Sequence, residues 1–316
     1  SNTMFFAGYL AFPEVQSSYS RGYGGKYNSD YVWGDKLDIG RTAIQYDPET
    51  FEWREMELTS KGKNNFKNFL QFSPITNNNV SVSQKGKYGS FRTSLTHVFN
   101  KGQYPNQKLN KITYTAGAEM SYKNFKLEGS ASYNKLVSSN DNGSGYSGSY
   151  IYDMVIWGGT EYDVRDYKNY WVEGKENEQQ NWYDNSWYDN PWFKANEVVD
   201  AYDTDILNVY MNSSYEITPW LKAMLRGGLD FYSKKNEWRK AKSANNAWDK
   251  NGFFGISRTS GYSINTDAML MADKTRGKLN MNVLAGGNIY FYSDDKMRST
   301  TSGGLTIPGF YSLKAS

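Results

Sequence analysis

The chain contains several stretches of roughly ten residues in which apolar and polar side chains alternate at every position. In the clearest, residues 112–122, the even-numbered positions are Ile, Tyr, Ala or Met and the odd-numbered ones are Thr, Gly, Glu or Ser. Successive side chains of a β-strand point to opposite faces, so this period of two predicts a strand with one apolar and one polar face. Residues 125–134 repeat the pattern after two residues, which predicts a tight antiparallel hairpin.

The same alternation predicts three more hairpins: residues 208–217 with 221–232, residues 264–272 with 279–291 and, more weakly, residues 80–83 with 91–99. Their turns are predicted at Thr218 and Pro219, at residues 273–277 and at residues 85–89. The alternation predicts about nine strands in all, the first being one rising strand at residues 2–12.

Strand length and charge separate two fold classes that share this alternation. Strands of a soluble antiparallel sandwich are usually about 5 or 6 residues long, whereas strands that cross a bilayer at a tilt need about 9–11. Charged residues stand at strand centres here, as in a water-filled lumen, and aromatic residues gather near both strand ends. Membrane barrels carry two such aromatic girdles. The sequence therefore predicts an all-β, antiparallel transmembrane β-barrel.

The alternation also predicts which side chains face outer-membrane lipid and which face the lumen. The lipid-facing set is Ala116, Ala118, Met120, Leu127, Ala131, Leu225, Leu229, Leu270, Met281 and Val283. The lumen-facing set is Glu119, Lys126, Glu128, Arg226 and Asp230. A charged side chain in the lipid-facing set would cost about 2–4 kcal/mol near the bilayer midplane.

Composition narrows the function classes. The mean hydropathy of −0.76 and the lack of an apolar run of about 18 residues exclude a helical membrane protein. Cysteine is absent, which excludes disulfides and thiolate sites, and a net charge of +3 gives no reason to expect nucleic-acid binding. His97 is the only histidine, so a histidine-based catalytic triad or multi-histidine metal site is excluded, and we predict no enzyme activity.

The connections predict the orientation of the barrel. Short turns alternate with long polar segments, and outer-membrane barrels place short turns in the periplasm and long loops outside. No linker divides the chain, so residues 1–316 are interpreted as one partial barrel domain. Its main extracellular loops are predicted at residues 13–79, 137–206, 233–262 and 293–316.

Four motifs, in chain order, resemble signatures of the SusC/RagA family of TonB-dependent transporters. They are Gly22-Tyr23-Gly24-Gly25-Lys26-Tyr27 with Trp33-Gly34-Asp35-Lys36-Leu37-Asp38, then Asn190-Pro191-Trp192-Phe193-Lys194-Ala195-Asn196-Glu197, the hairpin from Tyr215 to Leu229, and Leu305-Thr306-Ile307-Pro308-Gly309-Phe310-Tyr311-Ser312-Leu313. The resemblance covers nearly the whole chain. It implies part of a large plugged barrel of about 22 strands, with the plug and the closing strands absent from this segment.

The resemblance also implies a nutrient-uptake receptor. Its expected activity is active import of oligomers, usually glycans and sometimes peptides, across the outer membrane of a Gram-negative, Bacteroidetes-type bacterium. The expected partners are a SusD-like surface lipoprotein and the TonB complex, the latter through segments absent here. Residues 19–36, 182–196 and 294–308 are the predicted contact segments for the lipoprotein.

The loop at residues 137–205 contains a five-residue repeat of aromatic pairs beside Asp and Asn. Sugar rings stack on aromatic faces and hydrogen-bond to such polar groups, so the repeat supplies the candidate cargo-binding residues: Trp182, Tyr183, Asp184, Asn185, Trp187, Tyr188, Asp189, Asn190 and Trp192. Tyr and Trp are enriched at protein contacts in general. That enrichment favours the alternative interpretation, in which these residues pack the loop or contact the lid.

An acidic cluster gives a weaker indication of a metal. Asp200, Asp203 and Asp205 could gather around calcium, but the glycine and the bidentate glutamate of an EF-hand are missing. A solvated acidic loop is the preferred interpretation, and no cofactor is predicted.

Two other functions stay open at this stage. One is a passive outer-membrane porin or adhesion barrel, which needs no plug. The other is a soluble β-domain that binds glycans, whose alternating apolar faces would form an interior core.

Overall fold

The computed structural model describes residues 4–6, 9–11, 14–23, 31–141, 149–184, 187–245 and 251–315. Six short strands and one helix come first: β1 (Met4–Phe6), β2 (Tyr9–Ala11), β3 (Gly22–Tyr23), β4 (Val32–Trp33), β5 (Thr42–Asp47), β6 (Glu52–Glu57) and α1 (Asn65–Phe69). Eight longer strands follow, with a second helix between β10 and β11: β7 (Ile75–Lys85), β8 (Gly89–Lys101), β9 (Lys108–Tyr122), β10 (Phe125–Ser138), α2 (Pro191–Glu197), β11 (Val198–Thr218), β12 (Leu221–Lys240), β13 (Phe253–Arg276) and β14 (Leu279–Thr300).

Short stretches of other helix types occur in the connections, at Tyr152–Ile156 (π), Val164–Tyr167 (3₁₀) and Leu313–Ala315 (3₁₀). Within the described part of the chain, none of the helices has the length and apolar character needed to span a membrane.

Strands β7 to β14 form one eight-stranded sheet in which every strand pairs antiparallel with its neighbour in the sequence. All four predicted hairpins are present, as β7–β8, β9–β10, β11–β12 and β13–β14. The last turn is shorter than predicted, because β13 continues to Arg276 and leaves only Gly277 and Lys278 between the strands. Gly277 has φ +64°, a conformation that glycine adopts without steric cost.

The strand register sorts the side chains onto two faces, because residues paired across neighbouring strands point to the same side. One row is apolar and runs through Ala131, Val209, Leu229, Ile264 and Phe291. A second row, on the opposite face, is polar and runs through Glu128, Asn212, Arg226, Asp267 and Asn288. The ten side chains predicted to face lipid share the first face, and the five predicted to face the lumen share the second.

The polar face is bonded across strands, whereas the apolar face is uncovered. Arg226 Nη2 lies 3.1 Å from Asp267 Oδ2, and Asn288 donates to the same carboxylate at 2.7 Å. On the apolar face Leu225 is 46% exposed and Val283 is 61% exposed. Both buried hydrophobic clusters of the described residues lie in the connections instead. The interior core that a soluble β-domain requires is therefore not formed on this face.

Four sheet strands extend well beyond the alternating segments at the end opposite the short turns. β11 begins at Val198 and β12 ends at Lys240, while β13 begins at Phe253 and β14 ends at Thr300. These extensions occupy parts of the predicted extracellular loops. In β12 and β14 both faces are largely polar there, so the period-two signal disappears although the backbone hydrogen bonds continue.

The single strand predicted at residues 2–12 is wrong. β1 and β2 have three residues each and pair with one another, antiparallel, as Met4 with Ala11 and Phe6 with Tyr9. Their sequences are apolar or aromatic at successive positions, so alternation cannot distinguish one strand from two.

Candidate functional site

The long connections fold together at the end of the sheet opposite the short turns. We call this region the loop assembly, meaning the described parts of residues 14–74, 139–197 and 241–252. Backbone and side-chain hydrogen bonds join the three segments. Gly62 N donates to Thr160 O at 2.7 Å, Asn65 Nδ2 to Tyr162 O at 3.0 Å, and Asn245 Nδ2 to Asp184 O at 3.1 Å.

Aromatic rings form the core of the loop assembly. Phe69 of α1 and Tyr150 are fully buried, with ring centroids 4.8 Å apart. Trp182 packs edge-on against Tyr167 at 4.8 Å and against Tyr162 at 5.4 Å. Such edge-to-face pairs add roughly 0.5–1.5 kcal/mol each beyond their buried area. These rings come from segments about 100 residues apart in the chain, so the core closes only when the connections meet.

The Asn-Pro-Trp motif is the start of helix α2. The Asn190 side chain accepts from Trp192 N at 2.9 Å and so caps the helix, while Pro191 occupies the first helical position, where its missing N–H costs nothing. The Asn190 amide also donates to Tyr167 O and Asn181 O, both at 2.9 Å. Because Asn190 is buried and caps the helix, the Asn-Pro-Trp motif has a structural role in holding the loop assembly together.

Two other motif segments contain glycines with a structural role. A Cβ on Gly34 would lie 2.4 Å from Arg21 O, so only glycine fits beside that backbone. Pro308 and Gly309 form a tight turn in which Phe310 N donates to Ile307 O at 3.1 Å and Gly309 has φ +75°. Residues Gly24 to Tyr27 of the first motif lie outside the described residues.

Two buried ion pairs join distant segments of the loop assembly. Arg21 Nη2 lies 2.5 Å from Asp184 Oδ2, and the two side chains are 7% and 2% exposed. Lys194 Nζ lies 2.5 Å from Asp153 Oδ2, with side chains 8% and 3% exposed. The Arg21 guanidinium also lies over the Tyr183 ring, 4.6 Å from its centroid. Removing one partner of such a pair leaves an uncompensated buried charge.

The structure places most of the aromatic repeat inside the loop assembly. Trp182 is 6% exposed and Tyr188 is 8% exposed. Trp192 is half-buried against Phe69 and donates from its indole nitrogen to Val164 O at 2.8 Å. Trp187 differs, because it is 68% exposed. Only a ring that is open to solvent can stack on cargo, so Trp187 is the one tryptophan of the repeat that retains this capacity.

The polar residues of the repeat are also engaged within the loop assembly. Asp184 pairs with Arg21 and accepts from Trp187 N at 3.0 Å. Asp189 accepts from Gln180 Nε2 at 2.8 Å and from Asn245 N at 2.7 Å. Burial raises the pKa of the Asp189 carboxyl, and these two hydrogen bonds oppose that rise. Asn185 lies outside the described residues.

The acidic cluster is part of strand β11, which corrects the expectation of a solvated loop. The Lys135 ammonium forms ion pairs with both Asp203 and Asp205, 3.0 Å from the latter. A lysine therefore occupies the position between these carboxylates that a cation would take. No group of three or more acidic or histidine side chains in the described part of the chain is arranged to hold a metal ion.

A cavity lies beside the aromatic core, and no motif in the sequence predicts it. The cavity has a volume of about 50 Å³ and opens to solvent, and its walls include Arg21, Tyr46, Trp53, Glu161, Tyr167 and Tyr183. These residues come from β5, β6 and two distant connections. No local spacing in the sequence connects them, so only the folded loop assembly reveals the cavity.

Comparison with known proteins identifies the fold. No protein-family model matches the chain, and no curated protein matches it. Three structures of RagAB are similar. The peptide importer in its "closed-closed" state has a TM-score of 0.58 at 14% sequence identity, over 84% of this chain and 28% of that chain. The "open-open" state has a TM-score of 0.58 at 14% identity, over 80% of this chain and 27% of that chain.

The third structure, of the RagAB peptide transporter, has a TM-score of 0.59 at 14% identity, over 79% of this chain and 28% of that chain. The chain therefore spans about 28% of the RagAB chain that it matches. At this identity the likeness shows the fold. The eight-stranded sheet and its connections have the architecture of part of that importer's barrel.

Proposed function

We propose that this chain is part of the wall and outer loops of a TonB-dependent transporter that imports oligomers across the outer membrane. The observation that carries the proposal is the two-faced antiparallel sheet, whose apolar face is uncovered and whose fold matches RagAB. Strands in lipid must satisfy every backbone group by pairing and must present apolar side chains outward. A polar inner face then provides a path for hydrophilic cargo.

Two aromatic rows on the apolar face support a membrane location. Tyr122, Phe125 and Tyr215 are cross-strand neighbours near the short turns, and Tyr133 and Phe231 belong to a row near the loop assembly. Phe125 and Tyr133 are separated by about 26 Å along β10, at ~3.3 Å per residue. At the ~35–45° strand tilt of outer-membrane barrels the two rows are about 18–22 Å apart along the membrane normal, which fits within the ~25 Å apolar band of such barrels.

The loop assembly is the proposed outer, cargo-facing part, working with a SusD-like lipoprotein as lid. Residues 19–23 and 31–36 carry exposed aromatic side chains, of which Tyr31 is 57% and Trp33 is 60% exposed. Exposed aromatic groups of this kind suit a protein contact. We assign cargo stacking within the repeat to Trp187, and packing roles to its buried members.

Uptake by the full-length protein tests this proposal. A strain lacking the gene is complemented and supplied with defined neutral oligosaccharides and peptides, in the presence and absence of a functional TonB complex. Import that requires both the gene and TonB is the expected result. Import that persists without TonB would instead identify a passive porin, and the absence of gene-dependent import of every oligomer would contradict the proposal.

A further inference from the structure

Four positively charged side chains gather on the polar face of the sheet, near the loop assembly. The register that places Arg226 on this face also places three lysines in one cross-strand row without an acidic residue: Lys111, Lys234 and Lys296. Arg298 lies in the next row towards the loop assembly. We call Lys111, Lys234, Lys296 and Arg298 the cationic patch. All of its members except Lys111 are exposed.

On the opposite face of the same strands, cations at the same distance from the short turns have acidic partners. Lys135 forms ion pairs with two aspartates of β11. Lys235 Nζ lies 3.5 Å from Glu237 Oε2, and Arg239 Nε lies 3.4 Å from Oε1 of the same residue. The two faces therefore differ in how their charges are paired, although the same strands supply both.

The cationic patch has aromatic neighbours in place of acidic partners. Within the described part of the chain, no carboxylate lies within ion-pair distance of Lys234, Lys296 or Arg298. Lys234 Nζ lies 5.5 Å from the centroid of the Tyr202 ring, and Arg298 Cζ lies 5.0 Å from that of the Trp238 ring. An aromatic face attracts a cation but does not neutralise it. Both cations stay available to an anion.

The acidic residues nearest to the patch leave an excess of positive charge. Asp294 lies one row nearer to the short turns, and Asp200 lies one row beyond Arg298. Asp141 interacts electrostatically with Asp200. Against these three carboxylates stand five cations, the four of the patch and Lys240 at the end of β12. A wall with one charge in excess concentrates counter-ions in a narrow space in front of it.

The spacing of the cations indicates several singly charged groups on the ligand. Lys234 and Lys296 stand two strands apart, which separates their Cα atoms by about 10 Å. Lys296 and Arg298 are two residues apart along β14, which separates their Cα atoms by about 7 Å. Donors that bind one phosphate group converge on the same few oxygen atoms. Separate carboxylates along an extended oligomer fit the wider spacing seen here.

We infer that the cationic patch selects oligomers that carry several carboxylate groups. Each carboxylate accepts a hydrogen bond from one ammonium or guanidinium group as cargo passes from the loop assembly into the lumen. This inference rests on the proposed function and adds a charge requirement to it. Acidic amino-acid residues and uronic acid residues present the same carboxylate group, and the experiment distinguishes these two sources.

Equilibrium binding by the purified full-length protein tests the inference. The probes are pentapeptides that contain two Glu, two Gln or two Lys residues, and trisaccharides of glucuronic acid or of glucose. Lys234→Gln removes one charge of the patch, and its combination with Lys296→Gln removes two. Both side chains are exposed, so the buried core is not disturbed. Lys235→Gln is the matched control, because it removes a lysine from the opposite face of the same strand.

We expect the unaltered protein to prefer the acidic member of the peptide or the saccharide series. Lys234→Gln should weaken acidic binding about threefold and the double variant about tenfold, with Lys235→Gln within about twofold of the unaltered protein. Raising the salt concentration should reduce the preference, because exposed charges are screened. Binding of the neutral probes should change less than about twofold in every variant. The series that shows the preference identifies the source of the carboxylates.

Three results would overturn the inference: equal binding of acidic and neutral probes, a preference that survives in the double variant, or equal losses for Lys234→Gln and Lys235→Gln. The failure of every acidic probe to bind would overturn it as well. In each case TonB-dependent uptake of neutral oligomers would still support the proposed function. That function fails separately, if no oligomer, acidic or neutral, shows gene-dependent uptake.

Discussion

The sheet and the loop assembly are built in opposite ways. Each sheet strand pairs with its neighbour in the sequence, and large apolar side chains such as Leu225 and Val283 stay exposed on one face. In the loop assembly the decisive contacts join Arg21 to Asp184 and Asn65 to Tyr162, and the core is buried. The sheet therefore needs an apolar medium outside it, whereas the loop assembly makes its own apolar interior in water.

This difference predicts different responses to substitution. In the sheet, the loss of stability caused by a substitution should depend mainly on whether the side chain lies on the apolar or the polar face. In the loop assembly, that loss of stability should depend on how buried the side chain is and on which hydrogen bonds it makes. Four substitutions test this comparison in the full-length protein, from the largest expected effect to the smallest.

Asp184→Ala should have the largest effect, because it leaves the Arg21 guanidinium buried and unpaired. We expect a loss of about 3–5 kcal/mol in the stability of the loop assembly, with the sheet unaffected. Hydrogen exchange of backbone amides in the two regions measures this. Glu178→Ala is the control, since its partner Lys242 is 36% exposed and such surface pairs contribute about 0–1 kcal/mol. Equal costs for the two substitutions would refute the role assigned to burial.

Leu225→Lys tests the apolar face. We expect a loss of about 2–4 kcal/mol in the free energy of unfolding in phospholipid vesicles, because a lysine would face lipid. The adjacent Met224 lies on the opposite face, so Met224→Lys is the matched control and should cost far less. Denaturant titration measures both. A larger loss for Met224→Lys would reverse the assignment of the two faces.

Asn190→Ala tests whether the Asn-Pro-Trp motif is a scaffold. It removes the helix cap and two further hydrogen bonds to buried carbonyl groups, so we expect a loss of about 2 kcal/mol. Asn196→Ala removes one hydrogen bond, to Trp192 O, and should cost less than about 1 kcal/mol. Thermal unfolding of the two variants gives the comparison. A stable Asn190 variant with impaired uptake would indicate a direct functional role instead.

Trp187→Ala should change stability least, by less than about 0.5 kcal/mol, because the side chain is 68% exposed. At matched surface abundance we expect uptake of the preferred oligomer to fall, since stacking contributes on the order of 1–2 kcal/mol per covered ring. Transport rates are compared with those of Trp220→Ala. Uptake equal to that of the control would leave Trp187 without a role in cargo binding.

The alternating pattern predicts the hairpins of the sheet and their two faces, but it does not predict the arrangement of the candidate site. Hairpins, faces and turn positions follow from a period of two, because neighbouring strands are also neighbours in the chain. The aromatic repeat was visible in the sequence, yet its composition could not show that Trp182 is buried while Trp187 is exposed. Tyr and Trp suit both packing and ligand contact, so composition alone does not distinguish these roles.

The alternating pattern also fails to predict where the strands end. β12 continues to Lys240 through the polar sequence Ser-Lys-Lys-Asn-Glu, where the alternation no longer distinguishes strand from loop. Pairing with β11 and β13 maintains the strand there through backbone hydrogen bonds. Backbone pairing does not depend on side-chain polarity, which explains why a hydropathy pattern underestimates these strands.

By itself the sequence determined the local and periodic features of this protein: an antiparallel meander and its apolar and polar faces. Each depends on residues close together in the chain. The tertiary structure decided which aromatic side chains are buried, how Arg21 pairs with Asp184, and where the cavity beside Trp53 forms. The Arg21–Asp184 pair joins residues 163 positions apart, and it exists only after the connections have packed together.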